Sequence, residues 1–500
     1  MLKDHAAAAT PTPAPSDLRL RRPDRGQVVW AASALDALLP QGHQARVIWA
    51  VVRTLDLSAF HAPIKARSGV CGRNATDPAL LISLWLYAAT DGVGSAQELA
   101  RLCEQSDPYK WLCGGVSLNH HTLSDFRVGH RAALDGLFTQ VLASLVDQDI
   151  VPFDCAQGVV ERISNDGTRV RACAGAASFR GAERLATLLA EAKAHVAELA
   201  ALLDDPERSA ELTARERAAQ RRAARERVER VQAAIDRLPE IRAAAEAAAV
   251  AEAAAEAAAA LAAATTPADA PSTPDAPAAP GTPAAPEPAP VSAKGKRKAN
   301  AKGKTKRKPK GKPRVSTTDP DVRVMKMGDG GFRPAMNIQF GVDTACRAIV
   351  GVSVSTVGSD MGLAPPMRDQ VEARTGCKVR EHLVDGGYLI LDEIDAAAAA
   401  GVDMYVHPKT PSDPTKLDQR YVPKPDDTPA VAAWRQRMGT EPAQAVYRER
   451  ASTVETANAD LKTHRAMARF LVRGTDKVLS CALWSAVAYN LLHFGAQMIA

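Results

Sequence analysis

Three acidic residues, far apart in the chain, are placed where they could do chemistry together. Asp385 stands in His382-Leu383-Val384-Asp385-Gly386-Gly387-Tyr388, at the end of a short apolar strand and ahead of two glycines. A sheet would hold it there and still leave it open to a ligand. Asp166 closes the run Val159-Val160-Glu161-Arg162-Ile163-Ser164-Asn165, and Glu455 lies on a helical segment near the C-terminus. Lys462, seven residues beyond Glu455, falls on the same helical face. Mg²⁺ prefers oxygen ligands and is commonly held by a few carboxylates together with waters and substrate phosphates. Two such ions can activate an attacking oxygen and stabilise the leaving one in an in-line displacement at phosphorus. These residue types point to Asp166, Asp385 and Glu455 as metal ligands, with Lys462 at hand for a phosphate. Three acids chosen from fifty-seven establish nothing alone, and alternatives stand beside them. Asp166-Gly167 is a dipeptide that favours a tight hairpin turn, and Asp343, ending another strand, is a rival third carboxylate.

The elements that must position these residues are legible in part. Residues 335–344 and 348–356 read as neighbouring strands joined near Cys346-Arg347, then 363–375 as helix, 378–384 as strand, 391–400 as helix and 402–406 as strand. Such alternation predicts an α/β sheet with parallel neighbours, which binds ligands at the carboxyl ends of its strands. Residues 410–429 read as a proline-broken loop, and the region from about 442 onward as helical. Ahead of the sheet, 28–151 has helical periodicity. Asp77-Pro78 starts one helix, Ser95 with Glu98 forms a capping box for the next, and Asn119 to Arg127 begins another. Short helices joined by tight turns can present a helix to DNA, or they can simply pack. His120 and His121 are adjacent and so point in different directions, a poor arrangement for metal.

Five hundred residues allow two or three domains. The net charge of +6 rests on one segment: Lys294 to Arg314 carries twelve Lys or Arg and no acid, and the rest of the chain is at −6. That run suits phosphate contact, with a merely solvated tail as its alternative. The eight cysteines are scattered without a C-x-x-C pair or a secretory signal, no apolar run reaches the length of a membrane span, and a soluble cytoplasmic protein is expected. Residues 1–26 are expected to be a disordered lead. Residues 183–262 read as two long helices, an antiparallel pair turning near Asp204-Asp205-Pro206, and 263–314 as a disordered Pro/Ala and Lys/Arg linker.

Asp166-Gly167-Thr168, Thr318-Asp319-Pro320-Asp321 to Met325-Lys326, Val384-Asp385-Gly386-Gly387-Tyr388, and Tyr447 with Arg450, Glu455 and Lys462 resemble bacterial insertion-sequence transposases of the DDE type. Asp77-Pro78-Ala79-Leu80-Leu81, Gly92-Val93-Gly94-Ser95 to Glu98-Leu99, and Thr122 to Arg127 resemble the helical domain preceding the catalytic domain in that group. Arg473-Gly474 to Ala488-Tyr489-Asn490-Leu491 resembles its C-terminal end. The resemblance covers roughly 28–200 and 315–495. It implies a helical N-terminal domain (27–151) that binds DNA, and a split ribonuclease-H-like α/β catalytic domain (152–182 and 315–500) carrying a long helical, low-complexity insertion.

It further implies Asp166, Asp385 and Glu455 as catalytic metal ligands for two Mg²⁺ ions, with Mn²⁺ as a substitute. Lys462 would contact a phosphate, and Tyr447 and Arg450 would support the substrate strand. The partners implied are double-stranded DNA, both element ends and target, and a second copy in a synaptic homodimer, with no membrane, in the bacterial cytoplasm at the nucleoid. The activity implied is binding of terminal inverted repeats, DNA cleavage and strand transfer. A decayed, non-catalytic DNA-binding repressor and a standalone metal-dependent nuclease are the alternatives. The sequence departs from the group in one spacing: four residues separate Arg450 from Glu455 where many relatives have three. Nothing from the group carries onto 243–314.

Overall fold

The computed structural model describes residues 34–66, 71, 74–153, 157–205, 213–264, 312–411 and 417–500. The expected disordered lead lies outside the described residues, as does the linker apart from 263–264 and 312–314.

β1 (Val159–Arg171) organises the sheet. Its Val, Ile and Val side chains at 160, 163 and 170 are fully buried, and it has a different neighbour on each edge. β7 (Lys378–Val384) runs parallel to it over Val159 to Asn165, and β5 (Phe332–Asp343) runs antiparallel over Ile163 to Arg171. β8 (Asp403–Tyr405) extends the parallel side beyond β7. On the far edge of β5, β4 (Arg323–Lys326) pairs with its first residues and β6 (Ile349–Ser355) with its later ones, both antiparallel. The sheet is therefore mixed, with the expected parallel neighbours confined to one side. β5 and β6 follow one another through a short turn, and that geometry allows only antiparallel pairing.

Asp166-Gly167 is not a hairpin turn. β1 passes straight through it, with Asp166 opposite Phe340 and Gly167 opposite Gln339. The glycine answers a packing need. A Cβ at Gly167 would lie within 3.0 Å of Gln339 Nε2, Asp360 Oδ1 and Asn337 Oδ1.

Before the sheet come α1 (Gln44–Thr54), α2 (Ser58–His61), α3 (Pro78–Thr90), α4 (Ala96–Gln105), α5 (Asp107–Cys113), α6 (His120–Gly129) and α7 (Arg131–Asp147). Asp77 caps α3 as expected, its carboxylate accepting from Ala79 N at 2.8 Å. At α4, Ser95 Oγ accepts from Glu98 N at 3.3 Å, but the Glu98 carboxylate turns to Arg101, so the capping box is half formed. The exposed residues of α6 include His121, Ser124 and Asp125, and its one arginine, Arg127, is spent on Gly94 O and the Trp85 ring. The inner face of α6 packs through the buried Leu123 and Phe126.

After β1 the short strand β2 (Phe179–Arg180) pairs with β3 (Val315–Ser316), and the insertion departs and returns across this pair. The insertion is α8 (Ala182–Asp204) and α9 (Ala214–Ala264). Asp204 meets Arg221, and Leu185 shares a small core with Val231 and Leu238, so the two helices are antiparallel, as the apolar spacing predicted.

Then follow α10 (Ala364–Thr375), α11 (Leu391–Ala399), α12 (Pro429–Met438), α13 (Glu441–Arg450), a π turn at Ala451–Glu455, α14 (Thr456–His464) and α15 (Thr475–Met498). By length and composition α15 could cross a membrane, correcting the expectation that no run is long enough, but 78% of its apolar window is buried in the fold. Trp484, Leu483, Val487 and Leu491 pack with the N-terminal helices and the antiparallel strands in one continuous core. A second core, with Leu383, Tyr388, Ile394, Val406, Trp434 and Met438, lies on the parallel side.

Candidate active site

The site forms where one neighbour of β1 stops. Asn165 is paired with Val384, the last residue of β7, so Asp166 and Asp385 are the next residues on adjacent parallel strands. Such strands lie about 5 Å apart. Beyond this point β1 keeps β5 on one side, and on the edge that β7 has left it meets the π turn and Asn458, then a parallel bridge from Arg171 to Arg469. Asp385 turns into a short 3-10 turn, Gly386–Tyr388, and its Oδ1 accepts from Gly387 N at 2.8 Å. A Cβ on Gly386 would meet nothing within 4 Å, which leaves the strand end clear.

Asp166 is half-buried. Its Oδ1 accepts from Gly167 N at 2.9 Å, and its Oδ2 accepts from Asn458 Nδ2 at 3.3 Å. Burial pushes its carboxyl up to about 6; Arg450 and the Gly167 N–H draw it down, and Asp385 and Asp360 push it up again. Two aspartates so close disfavour one another's charge, and a cation between them would relieve that.

Glu455 enters from α14's side. It does not join the aspartates directly: Arg450 Nη2 donates to Glu455 Oε1 at 2.6 Å. Burial works against the Arg450 charge, but Tyr447, Asp166, Glu455 and Asp385 together raise its pKa. Arg450 is thus a cation that all three acids share. Tyr447 lies under the Arg450 guanidinium, 5.8 Å from carbon to ring centroid, and its ring meets His407 in a T-shaped contact. Burial raises the Tyr447 pKa, offset by Arg450 and reinforced by Asp385.

The π turn accounts for the departure in spacing. On an α-helix, residues five apart are about 140° out of line. A π turn closes its hydrogen bonds from i to i+5, so Arg450 and Glu455 come onto one face despite the additional residue. Lys462 stands two turns farther along, on α14.

The far end of α14 is fixed by the N-terminal helices. Arg465 donates to Thr90 O at the end of α3, and Gly92 and Gly94 lie against the backbone of His464 and the methyl of Ala466. Asp319 Oδ2 and Asp321 Oδ2 accept from Gly474 N and Thr475 N, at 3.0 and 3.1 Å, and so anchor the start of α15. Those two acids are structural clamps. So is Asp343, which is 3% exposed and accepts from Ala345 N and Cys346 N in the turn after β5.

Two groups at the site escaped the sequence pattern. Asn458 follows Glu455 by three residues, a spacing that places both on one helical face and could have been noticed. Asp360 lies in the loop between β6 and α10, where no periodicity marks it. Its Oδ1 accepts from Asn337 Nδ2 at 2.6 Å and Gln339 Nε2 at 2.9 Å. Tyr388 O–H closes this network on Gln339 Oε1.

Among the described residues, no three His, Cys, Asp or Glu side chains are already gathered as a metal cage. The donors that do meet, two aspartates and the buried, unpartnered Oδ1 of Asn458, are all oxygens. Mg²⁺ ordinarily takes one or two carboxylates plus substrate phosphates, so this donor set fits a hard cation that arrives with its substrate.

Comparison with known families gives two matches. The family described as Transposase domain (DUF772) matches residues 33–129, and the family described as Transposase DDE domain matches 416–494. The second interval contains Tyr447, Arg450, Glu455, Asn458 and Lys462; Asp166 and Asp385 lie between the two. No curated protein and no solved structure matches the chain. The two matches support a transposase-family protein in which a helical region precedes a mixed α/β domain with a transposase-type catalytic segment.

Proposed function

We propose that this protein is an insertion-sequence DNA transposase that binds the terminal inverted repeats of its element, cleaves the DNA at its ends and joins the freed 3′-hydroxyls to target DNA. The observation that carries this is the pairing of Asp166 and Asp385 at the vacated edge of β1, with Arg450 and Glu455 brought alongside by the π turn. The antiparallel β6-β5-β1 half joined to a parallel β1-β7-β8 half, with acids at the junction, supports a ribonuclease-H-like reading of the catalytic domain.

In this proposal Asp166, Asp385 and Glu455 hold Mg²⁺, or Mn²⁺ in its place, and the two ions would supply a polarised water and charge stabilisation at phosphorus. The chain's own part is positional. Asp166 and Asp385 are fixed by sheet pairing and by the N–H groups of Gly167 and Gly387. Glu455, paired with Arg450 here, would hold the ion in place of that arginine, and the guanidinium would then be free to meet a phosphate as a planar two-pronged donor. Lys462 contacts a second phosphate on the same helix, and Tyr447 supports the strand. First a water oxygen attacks phosphorus and the 3′-oxygen leaves as a hydroxyl, the phosphate staying on the other strand end; then that hydroxyl attacks a target phosphodiester, its proton is lost, and the target's own 3′-oxygen leaves and is protonated. Two ends must meet, so a homodimer is the proposed working form, in the cytoplasm at the nucleoid.

Asp385→Asn tests the proposal. It keeps the hydrogen bond from Gly387 but loses the charge. End binding in a gel-shift should persist while Mg²⁺-dependent cleavage of a terminal-repeat duplex disappears. Retained cleavage would overturn the assignment.

A further inference from the structure

We infer that Asp360 is a fourth carboxylate of this site, sharing with Asp385 a divalent cation on the Gly387 side of the sheet. The inference rests on the metal-site reading above and extends it to a residue from the loop between β6 and α10.

The geometry is as follows. Asp360 Oδ1 is occupied by two amide donors, Asn337 Nδ2 and Gln339 Nε2, both on β5 side chains with no solvent exposure. That leaves Oδ2 as the outward oxygen. A Cβ placed on Gly387 would be 3.9 Å from Asp360 Oδ2 and 3.8 Å from Asp385 Oδ1, so the two carboxylates flank one small space that the glycine keeps open. On the other side, Asp360 Oδ1 crowds the missing Cβ of Gly167, next to Asp166. Asp360 therefore stands between the two strand-end aspartates with a fixed orientation.

Two side-chain oxygens on the Gly167 and Asp166 flank of Asp360 also lack partners. Asn337 Oδ1 is fully buried without a hydrogen-bond partner, and it lies 2.7 Å from the same Gly167 position. Asn458 Oδ1, on the Asp166 side, is likewise buried and unpartnered. Buried polar oxygens are normally satisfied, and a hydrated cation held by Asp385 and Asp360 would bring water to them.

The competing role for Asp360 is an ion pair with Arg169, whose Nη2 is 3.6 Å from Oδ2. That distance is long for a bidentate pair. The two roles separate by experiment. Binding of Mn²⁺ to the full-length, DNA-free protein is followed by titration calorimetry, beside cleavage of a terminal-repeat duplex, for Asp360→Asn, Arg169→Gln and Asp385→Asn. Asp360→Asn keeps an acceptor for both amides and removes only the charge. The inference expects it to weaken Mn²⁺ binding about 10–100-fold and to slow cleavage by a similar factor, with the melting temperature unchanged. Arg169→Gln should leave Mn²⁺ affinity within about threefold.

Asp360→Asn with unaltered Mn²⁺ affinity, while Asp385→Asn loses both binding and cleavage, would overturn the inference and keep the proposed function. Equal losses in Asp360→Asn and Arg169→Gln would also overturn it, in favour of the ion pair. Cleavage surviving in Asp385→Asn would remove the underlying reading itself.

Discussion

Gly167→Ala isolates the feature on which the site depends, the close approach of β5 and Asp360 to β1. The added Cβ would fall within 3.0 Å of Gln339 Nε2, Asp360 Oδ1 and Asn337 Oδ1. These are not free ends. Asn337 and Gln339 are unexposed, both donate to Asp360, and Gln339 also accepts from Tyr388 O–H. Moving them means breaking one or two hydrogen bonds to a carboxylate, at about 1.5–3 kcal/mol each, on top of an overpacking cost of about 1–3 kcal/mol. The expected loss is on the order of 3–6 kcal/mol. Guanidinium unfolding followed by circular dichroism measures it, as a drop in midpoint at constant m-value. Gly386→Ala is the control, because its Cβ has open space and should change stability by no more than about 0.5 kcal/mol. A loss below about 1 kcal/mol for Gly167→Ala would show that the amides and Asp360 yield easily, and the argument that the glycine is required by packing would fail.

Three further outcomes follow from the same structure. His382 is fully buried beside the site, and burial, with Arg368, pushes its pKa down to about 3. Its neutral form stabilises the fold fully above pH 6.5, and that contribution is lost as the pH falls toward 3, at about 1.4 kcal/mol per unit. The stability difference between wild type and His382→Gln should therefore shift by about 2 kcal/mol from pH 6.5 to 5; parallel pH profiles would refute this. Arg374 ties α10 to α7: it is 4% exposed, donates to the Asp135 carboxylate at 2.7 Å and to Thr139 Oγ1 at 2.6 Å, and lies over Phe138. Arg374→Ala should cost about 2–3 kcal/mol, less than a fully buried pair because Asp135 can rehydrate, as read by denaturant titration. Deleting residues 294–310, which lie in the cationic run, should flatten the dependence of log K for DNA on log salt by about 0.9 for each phosphate that run meets; an unchanged slope would leave it a solvated tail.

What the sequence disclosed followed from how local each signal is. The strand at 378–384, the β5–β6 pair, α10 and the insertion hairpin have strong periodicity, and the structure has them within a residue or two, except that β5 begins three residues earlier, at Phe332. The Asp77-Pro78 start of α3 was readable from its cap, and the same chemistry at Thr428-Pro429 starts α12, which was passed over inside a proline-rich stretch. Asp166-Gly167 misled because an Asp-Gly pair has the same local form in a turn and in a strand. Only the side chains of Asn337, Gln339 and Asp360, far along the chain, decide between them. Asp360 was invisible for the converse reason: nothing in its own loop distinguishes it, and its meaning comes from amides on another strand.

The segment from Arg450 to Glu455 shows where a spacing rule stops being a rule about residues. Four intervening residues instead of three would, on an α-helix, swing Glu455 roughly 100° from its place. The chain absorbs the additional residue as a π turn, keeps the Arg450–Glu455 ion pair at 2.6 Å, and resumes as α14 with Asn458 still reaching Asp166. A π turn is an uncommon and weaker winding that tends to occur at functional positions. Here it lies against β1 and β5, at the point where β7 has ended. What the π turn keeps together is the Arg450–Glu455 pair and the Asn458–Asp166 contact, and the number of residues between Arg450 and Glu455 does not by itself decide either.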